Sequence, residues 1–190
     1  TLVLQALTAG VEYWKQTIAD LLLELTGLRS IMERSPAETR ELEGLEPAAG
    51  ALRGDRVARV TIAENDLEFA IDLERGHKTG FYLDQRENRR LVRELGADRE
   101  VLDCFCYTGG FALNALGGGA RSVLALDGSA EALELGRQNA RLNGLDDKRL
   151  QWMEADAFRA LRAFRDARRS FDLVVLDPPK FAPTAARLGK

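Results

Sequence analysis

The sequence predicts an α/β fold, with a parallel, doubly wound sheet over residues 76–190 and a small α+β lobe over residues 1–75 before it. Three observations carry this reading. From residue 101 onward, short apolar runs alternate with segments of helical period, the pattern of repeated βα units. Three of those runs end in, or carry near their end, an aspartate: Asp103, Asp127 and Asp177. Earlier in the chain, Val57 to Glu64 and Leu67 to Leu73 alternate around Asn65-Asp66, which signals a hairpin instead of a crossover.

The elements follow in order. Val11, Trp14, Ile18, Leu21, Leu22 and Leu25 form a stripe of helical period, opened near Thr8 and closed by Gly27. Leu28 to Glu33 has the length of a short strand. Ser35-Pro36-Ala37-Glu38 reads as a capping box with proline at the first helical position, so a brief helix should run to about Gly44. Leu45 to Asp55, with Pro47, Gly50 and Gly54, reads as loop. Asp84 and Glu87 stand in N-cap and N3 relation, predicting a helix from Gln85 to near Gly96. Strand 101–105 leads to a helix from Gly110, and strand 122–127 to a helix capped by Ser129 and closed by Asn143-Gly144. Strand 149–153 leads to a helix near 156–168, and strand 171–177 ends at Pro178-Pro179.

Composition narrows the class. Hydrophobic residues make up 45% and charged residues 30% of the 190, ordinary values for a globular protein. No apolar run approaches the roughly 18 residues that span a bilayer, and the first residues lack the basic start of a signal peptide. Cys104 and Cys106 lie two residues apart on one strand, so no disulfide framework is expected and a reducing cytoplasm fits. A single histidine, His77, without paired Cys/His spacing supports no metal site. A net charge of −3 does not mark a nucleic-acid binder. Two arginine sets nonetheless stand out. Arg86, Arg89, Arg90 and Arg93 are spaced to share one helical face; Arg159, Arg162, Arg165, Arg168 and Arg169 form the second set. The chain starts without Met and stops shortly after a strand, so it reads as an excerpt.

The strand ends carry the chemistry. Ligands of open α/β sheets sit outside the carboxyl ends of the strands, where Asp103, Asp127, Asp177 and, after the third strand, Asp156 all fall. Burying Asp103 in an apolar strand without a partner is costly, so a hydrogen-bonding partner is expected. An acid ending the second strand suits both hydroxyls of a ribose, because a carboxylate offers two acceptor oxygens. Two nucleoside cofactors share that acid. A dinucleotide needs the G-x-G-x-x-G turn for its pyrophosphate, and Tyr107-Thr108-Gly109-Gly110-Phe111 does not match it. S-adenosylmethionine carries no phosphate; acidic residues suit its amine and sulfonium, and Gly109-Gly110 would admit its methionine end closely. S-adenosylmethionine is the cofactor this reading selects.

At these residues a family resemblance emerges. Asp-x-Phe-x-Tyr-Thr-Gly-Gly-Phe at 103–111, Asp-Pro-Pro-Lys-Phe-Ala at 177–182 and Lys-Thr-Gly-Phe-Tyr-Leu-Asp-Gln-Arg at 78–86 resemble the class I ribosomal-RNA methyltransferases. Within them, the likeness is to the bacterial large-subunit rRNA cytosine carbon-5 methyltransferases that carry an N-terminal PUA domain. It covers most of residues 55–183. The resemblance implies a Rossmann-like class I methyltransferase sheet, incomplete here because the family's sheet has seven strands, with residues 1–75 as the family's central domain. It implies that Asp103, Phe105, Thr108, Gly109 and Gly110 wrap the methionine part, that Asp127 holds the ribose with Ser129 beside it, and that Asp156 and Ala157 border the adenine. Phe81 and Gln85 resemble the preceding cofactor-binding segment, and Asp177 would sit beside the transferring methyl and the target base.

The implied reaction needs a thiolate. Carbon 5 of cytosine is a poor nucleophile until a cysteine adds to carbon 6, after which it can attack a methyl group. Cys104 alternates with Asp103 and Phe105 and so points away from the cofactor face, while Cys106 lies under the methionine part. Both read as packing residues, and the resemblance puts the nucleophile in a Ser-Cys-Ser type motif beyond residue 190. Enzymes that methylate exocyclic amines often follow Asn/Asp-Pro-Pro with an aromatic residue; Lys180 stands there, with Phe181 one step later, which favours carbon methylation. A guanine-N7 rRNA methyltransferase shares much of this pattern and stays open, as does a binding module without catalysis. The expected partner is large-subunit ribosomal RNA, with the Arg86–Arg93 face as a backbone contact and no membrane; homodimerisation stays open.

Overall fold

The computed structural model describes residues 1–76, 80–145 and 148–179, with residues 38 and 39 described by backbone alone. The chain divides into two units, Thr1–Thr61 with Ile71–Tyr82, and Ile62–Ala70 with Leu83–Lys190. No helix among the described residues is long and apolar enough to cross a membrane.

The first unit comprises β1 (Leu2–Leu4), α1 (Ala9–Thr26), β2 (Ile31–Ser35), α2 (Ala37–Arg40) and β3 (Ala48–Arg53). β2 is central, pairing parallel with β1 and antiparallel with β3. Thr8 caps α1 by accepting from the Val11 amide, and Gly27 ends it at φ 66°. Yet the residues α1 buries are Lys15 and Ala19, while Trp14, Leu21 and Leu25 of its apolar stripe are exposed. The reason is polar. The Lys15 ammonium donates to Glu12 at 2.8 Å and to Glu33 at 3.1 Å, and Arg40 donates to Glu12 at 2.8 Å.

Two expectations for this unit are corrected. The capping box at Ser35 does not form: Pro36 is the N-cap, and the Ser35 hydroxyl instead donates to Glu33 and accepts from the Ala6 amide. The segment read as loop contains β3, whose Ala48-Ala49-Gly50-Ala51 has little strand propensity and is held by pairing with β2. A hairpin then follows as expected, β4 (Arg59–Glu64) and β5 (Leu67–Asp72). Asn65 and Asp66 both adopt positive φ, 52° and 61°, as a type I′ turn requires.

The second unit adds α3 (Arg86–Leu95), β6 (Glu100–Cys104), α4 (Gly110–Gly117), β7 (Ser122–Asp127), α5 (Ala130–Leu142), β8 (Leu150–Glu154), α6 (Ala157–Asp166) and β9 (Leu173–Leu176). Its sheet runs β8-β7-β6-β9, and every pairing is parallel. Strand order therefore reverses at β6, which places the ligand crevice at that strand's carboxyl end. One face buries Leu102, Cys104, Leu124 and Leu126 with Ala157 and Ala160 of α6. Strand alternation turns Asp103 and Ala125 to the other face.

The hairpin tip belongs to this unit because three asparagines hold it. Asn65 donates to Asn114 of α4 at 3.1 Å, the Ala70 amide donates to Asn139 of α5 at 2.8 Å, and the Glu68 amide donates to Asn143 at 2.8 Å. Asn114 and Asn139 are fully buried. The helix at 86 also starts differently from its prediction. A 3-10 turn over Leu83–Gln85 precedes it, and its N-cap is Gln85, with no side-chain cap bond.

The four arginines spaced to share a face all lie on α3, and three of them have partners within the protein. Arg89 is buried and clamps Glu64 with two hydrogen bonds, at 2.5 and 2.8 Å. Arg93 donates to the Asn65 carbonyl, and Arg90 pairs with Glu87 and Glu94. Of the four, Arg89 is buried, whereas Arg86 and Arg90 are exposed. By contrast, Arg159, Arg162, Arg165, Arg168 and Arg169 are all exposed.

Candidate cofactor-binding site

The turn between β6 and α4 is built from residues in unusual backbone states. Phe105, Tyr107 and Gly109 all have positive φ, at 60°, 50° and 80°. Two of the three are not glycine, so the surroundings must hold them in a region that costs energy for L side chains. β7 supplies the hold. The Cys106 amide donates to the Leu126 carbonyl at 3.0 Å, and the Tyr107 amide donates to Asp127 Oδ2 at 2.8 Å. The other Asp127 oxygen accepts from the Ser129 amide at 2.9 Å. One carboxylate thus fastens both the turn after β6 and the turn after β7.

Asp103 lies under this turn and is 1% exposed. Its Oδ2 accepts from the Ala112 amide in the first turn of α4 at 2.9 Å, whereas Oδ1 is buried without a hydrogen-bond partner. Burial pushes its pKa up to about 8; the Ala112 bond opposes the shift, and the charges of Asp127 and Asp177 reinforce it. At neutral pH this carboxyl is therefore largely protonated. It can donate through one oxygen or, beside a cation, ionise.

Gly109 is required by its neighbours first. Besides its φ of 80°, a Cβ there would lie 2.6 Å from Cη2 of Trp152 on β8. A Cβ added at Gly136 on α5 would lie 2.6 Å from the same indole, so Trp152 is wedged between two glycines. Its Nε1 is buried without a partner. Trp152, Asn114 and Asn139 were not singled out by sequence. A glycine inside the helical pattern at 136 was the available signal, because glycine there weakens a helix unless something packs against it.

The remaining sequence-selected residues fall as follows. Thr108 is buried, and its carbonyl accepts from Asn139 at 3.4 Å. Gly110 opens α4, with its carbonyl accepting from Asn114. Ser129 caps α5 through the Ala132 amide, and Asp156 caps α6 through the Arg159 amide, with Ala157 next to it and buried. The Phe105 ring meets Phe158 edge-on at 6.2 Å. Gln85 Nε2 donates to Asp177 Oδ2 at 3.2 Å, joining two residues 92 positions apart, while its Oε1 accepts from Asn88. Phe81 is buried and belongs to the first unit. Lys78, Thr79, Lys180 and Phe181 lie outside the described residues.

The two cysteines are buried, at 0% and 3% exposure. Burial raises the Cys104 pKa to about 11 and that of Cys106 well above its ordinary value. Neither supplies a thiolate at neutral pH. The β6 turn can instead accept a cationic amine at Asp103, and it offers a site without phosphate-binding glycines.

Comparison with known proteins agrees with this geometry. Residues 43–189 match the model of a family described as S-adenosylmethionine-dependent methyltransferase. A protein of Shewanella amazonensis named ribosomal RNA large subunit methyltransferase I is 46% identical, over 98% of this chain and 48% of its own length. One of the same name from Alteromonas mediterranea is 44% identical, over 99% of this chain and 47% of its own. The chain thus spans about half the length of these relatives. Among solved structures, SMU.776 complexed with S-adenosylhomocysteine superposes with a TM-score of 0.82 at 24% identity, over 95% of this chain and 46% of that one. An S-adenosylmethionine-dependent methyltransferase from Agrobacterium tumefaciens gives 0.69 at 21%, over 86% and 50%. These two likenesses concern the fold, that of class I methyltransferases. The chain belongs to the S-adenosylmethionine-dependent methyltransferase family, with S-adenosylmethionine as its cofactor.

Proposed function

We propose that this chain forms part of a cytoplasmic enzyme that methylates carbon 5 of a cytosine in large-subunit ribosomal RNA. The RNA substrate rests on one observation: identity of 46% and 44%, over nearly the whole chain, to relatives named as large-subunit rRNA methyltransferases. When bound, S-adenosylmethionine supplies an electrophilic methyl group on a sulfonium. Asp103, Phe105, Thr108, Gly109 and Gly110 surround its methionine end, and the unpartnered Asp103 oxygen receives the ammonium. Asp127 keeps lone pairs beyond its two amide bonds and uses them for the ribose hydroxyls, with Ser129 beside it. Asp156 and Ala157 border the adenine. Phe81 and Gln85 complete the cofactor segment, and Asp177, held by Gln85, positions the methyl and the target base.

Carbon methylation is supported by Lys180, which stands where amine methyltransferases often carry a stacking aromatic ring. The burial and raised pKa values of Cys104 and Cys106 leave the attack on carbon 6 to a cysteine not among these 190 residues. Nucleoside mass spectrometry of large-subunit rRNA from a strain lacking the gene tests the assignment. Loss of one 5-methylcytosine is expected. Loss of a 7-methylguanosine would move the target to guanine, and an unchanged methylation map would reject rRNA as substrate.

A further inference from the structure

The first unit holds a cavity of about 410 Å³ that the cofactor site does not use. It is lined by Met32 and Arg34 of β2, the Ala49–Ala51 stretch of β3, and Arg56, Leu73 and Glu74. Pairing builds its floor: Arg34 faces Ala49 and Met32 faces Ala51 across the antiparallel strands. Paired residues share a face of the sheet, so two long side chains stand beside two short ones, leaving a shallow apolar step. Glu33, between them, turns the other way and is held by Lys15 and Ser35. Its volume falls in the range of ligand pockets.

One polar atom of the residues that line this cavity has nothing to bond. Nη1 of Arg34 is buried and has no hydrogen-bond partner. A buried guanidinium N–H left unpaired is costly, so the site calls for an acceptor. Arg56 does not share the need, because Glu74 accepts two hydrogen bonds from it, at 2.5 and 2.9 Å. Glu74 matches Arg56, while Glu33 is taken up by Lys15 and Ser35, so Arg34 is the lining guanidinium left to meet an acceptor. The alanine step beside it favours a ligand with a flat apolar face and acceptors on its edge, a face that a phosphate lacks. A nucleobase has both, and arginine pairs well with the O6/N7 edge of guanine. Unstacked bases of single-stranded RNA are commonly read in this way.

We propose that the Arg34 cavity binds one unstacked nucleobase of the RNA substrate, with guanine the best fit, at a site separate from the β6 turn. The proposal rests on the reading of this chain as part of an RNA methyltransferase. The base lies on the step formed by the exposed Ala49 and Ala51, and its edge accepts from the Arg34 guanidinium. Contact is made by a base and not by the RNA backbone.

Fluorescence anisotropy with labelled single-stranded RNA tests this. The probes are a uridine tract with one central guanine and the same strand with an abasic site there. The wild-type chain should bind the guanine strand more tightly than the abasic one. Arg34→Ala should weaken guanine binding about tenfold and erase the difference between probes, with an unchanged dependence on salt. Arg34→Lys should lose the same discrimination, because an ammonium lacks the planar fork. Ala49→Leu, which fills the step and leaves Arg34 in place, should also erase it and guards against misfolding of the arginine variants. Affinity for S-adenosylhomocysteine should stay within about twofold throughout. Equal binding of both probes by wild type, or retained discrimination in Arg34→Ala, would overturn the proposal and leave the RNA reading standing. Equal weakening of both probes by Arg34→Ala, with a shallower salt dependence, would show a phosphate contact and also overturn it. No binding of either RNA by wild type would remove the RNA reading and the base site together.

Discussion

Two regions of this protein bury ionisable groups, and they do so in opposite ways. In the first unit, Lys15, Glu33, Arg40, Glu12 and Ser35 form a network in which no buried side-chain atom lacks a partner. At the β6 turn, Asp103 is buried just as deeply, yet one of its oxygens faces no donor. The closed network fixes α1 on β2 and has no capacity left for a ligand. The open one keeps an acceptor in reserve at the strand end where the sheet order reverses. Burial alone does not distinguish the two sets of groups; completeness of hydrogen bonding does, and it marks Asp103 as the candidate for a ligand contact.

Breaking the closed network should have the largest effect. Glu33→Ala leaves the Lys15 ammonium with Glu12 alone and should cost about 3 kcal/mol in denaturant unfolding. Affinity for S-adenosylhomocysteine should not change. A smaller loss is expected from Gly109→Ala, about 1–3 kcal/mol, because it forces a side chain to positive φ and into Trp152. Trp152→Phe in the same chain should return part of that loss, and a double-mutant cycle measures the coupling.

The smallest effect concerns pH. Asp103 has a folded pKa of about 8 against an ordinary value of 3.8, so the folded state binds more protons between those values. Its contribution to stability is greatest below about pH 4 and is lost as pH rises through about 8. Asp103→Asn keeps the Ala112 bond and removes the titration. Thermal melts of the two proteins should differ little in acid, and Asp103→Asn should be the more stable above pH 8. Parallel curves across that range would show that Asp103 is not held neutral.

What could be read from sequence follows from the same physics. The βα succession from residue 101 was legible because buried parallel strands are nearly continuous apolar runs, and Asp103 stood out against one of them. Asn65-Asp66 announced its turn because few residues accept two successive positive φ values. β3 was not legible, since Ala48-Ala49-Gly50-Ala51 owes its strand to pairing and not to its own preference. The stripe on α1 misled for a related reason: Lys15 was drawn inward by Glu33, a residue 18 positions away. Arg89 looked like a surface cation until Glu64 gave it a buried partner. Trp152 and the asparagines act through contacts that no local pattern announces.

The β6 turn as a cofactor cradle is the central claim, and Asp127 is the residue on which it depends most. Calorimetric titration of S-adenosylhomocysteine into the wild-type chain and into Asp127→Ala tests it directly. One-site binding is predicted for wild type, weakened at least about tenfold in the variant through loss of ribose acceptors and of the Tyr107 anchor. Equal affinity in the two proteins, or no binding by wild type, would contradict it.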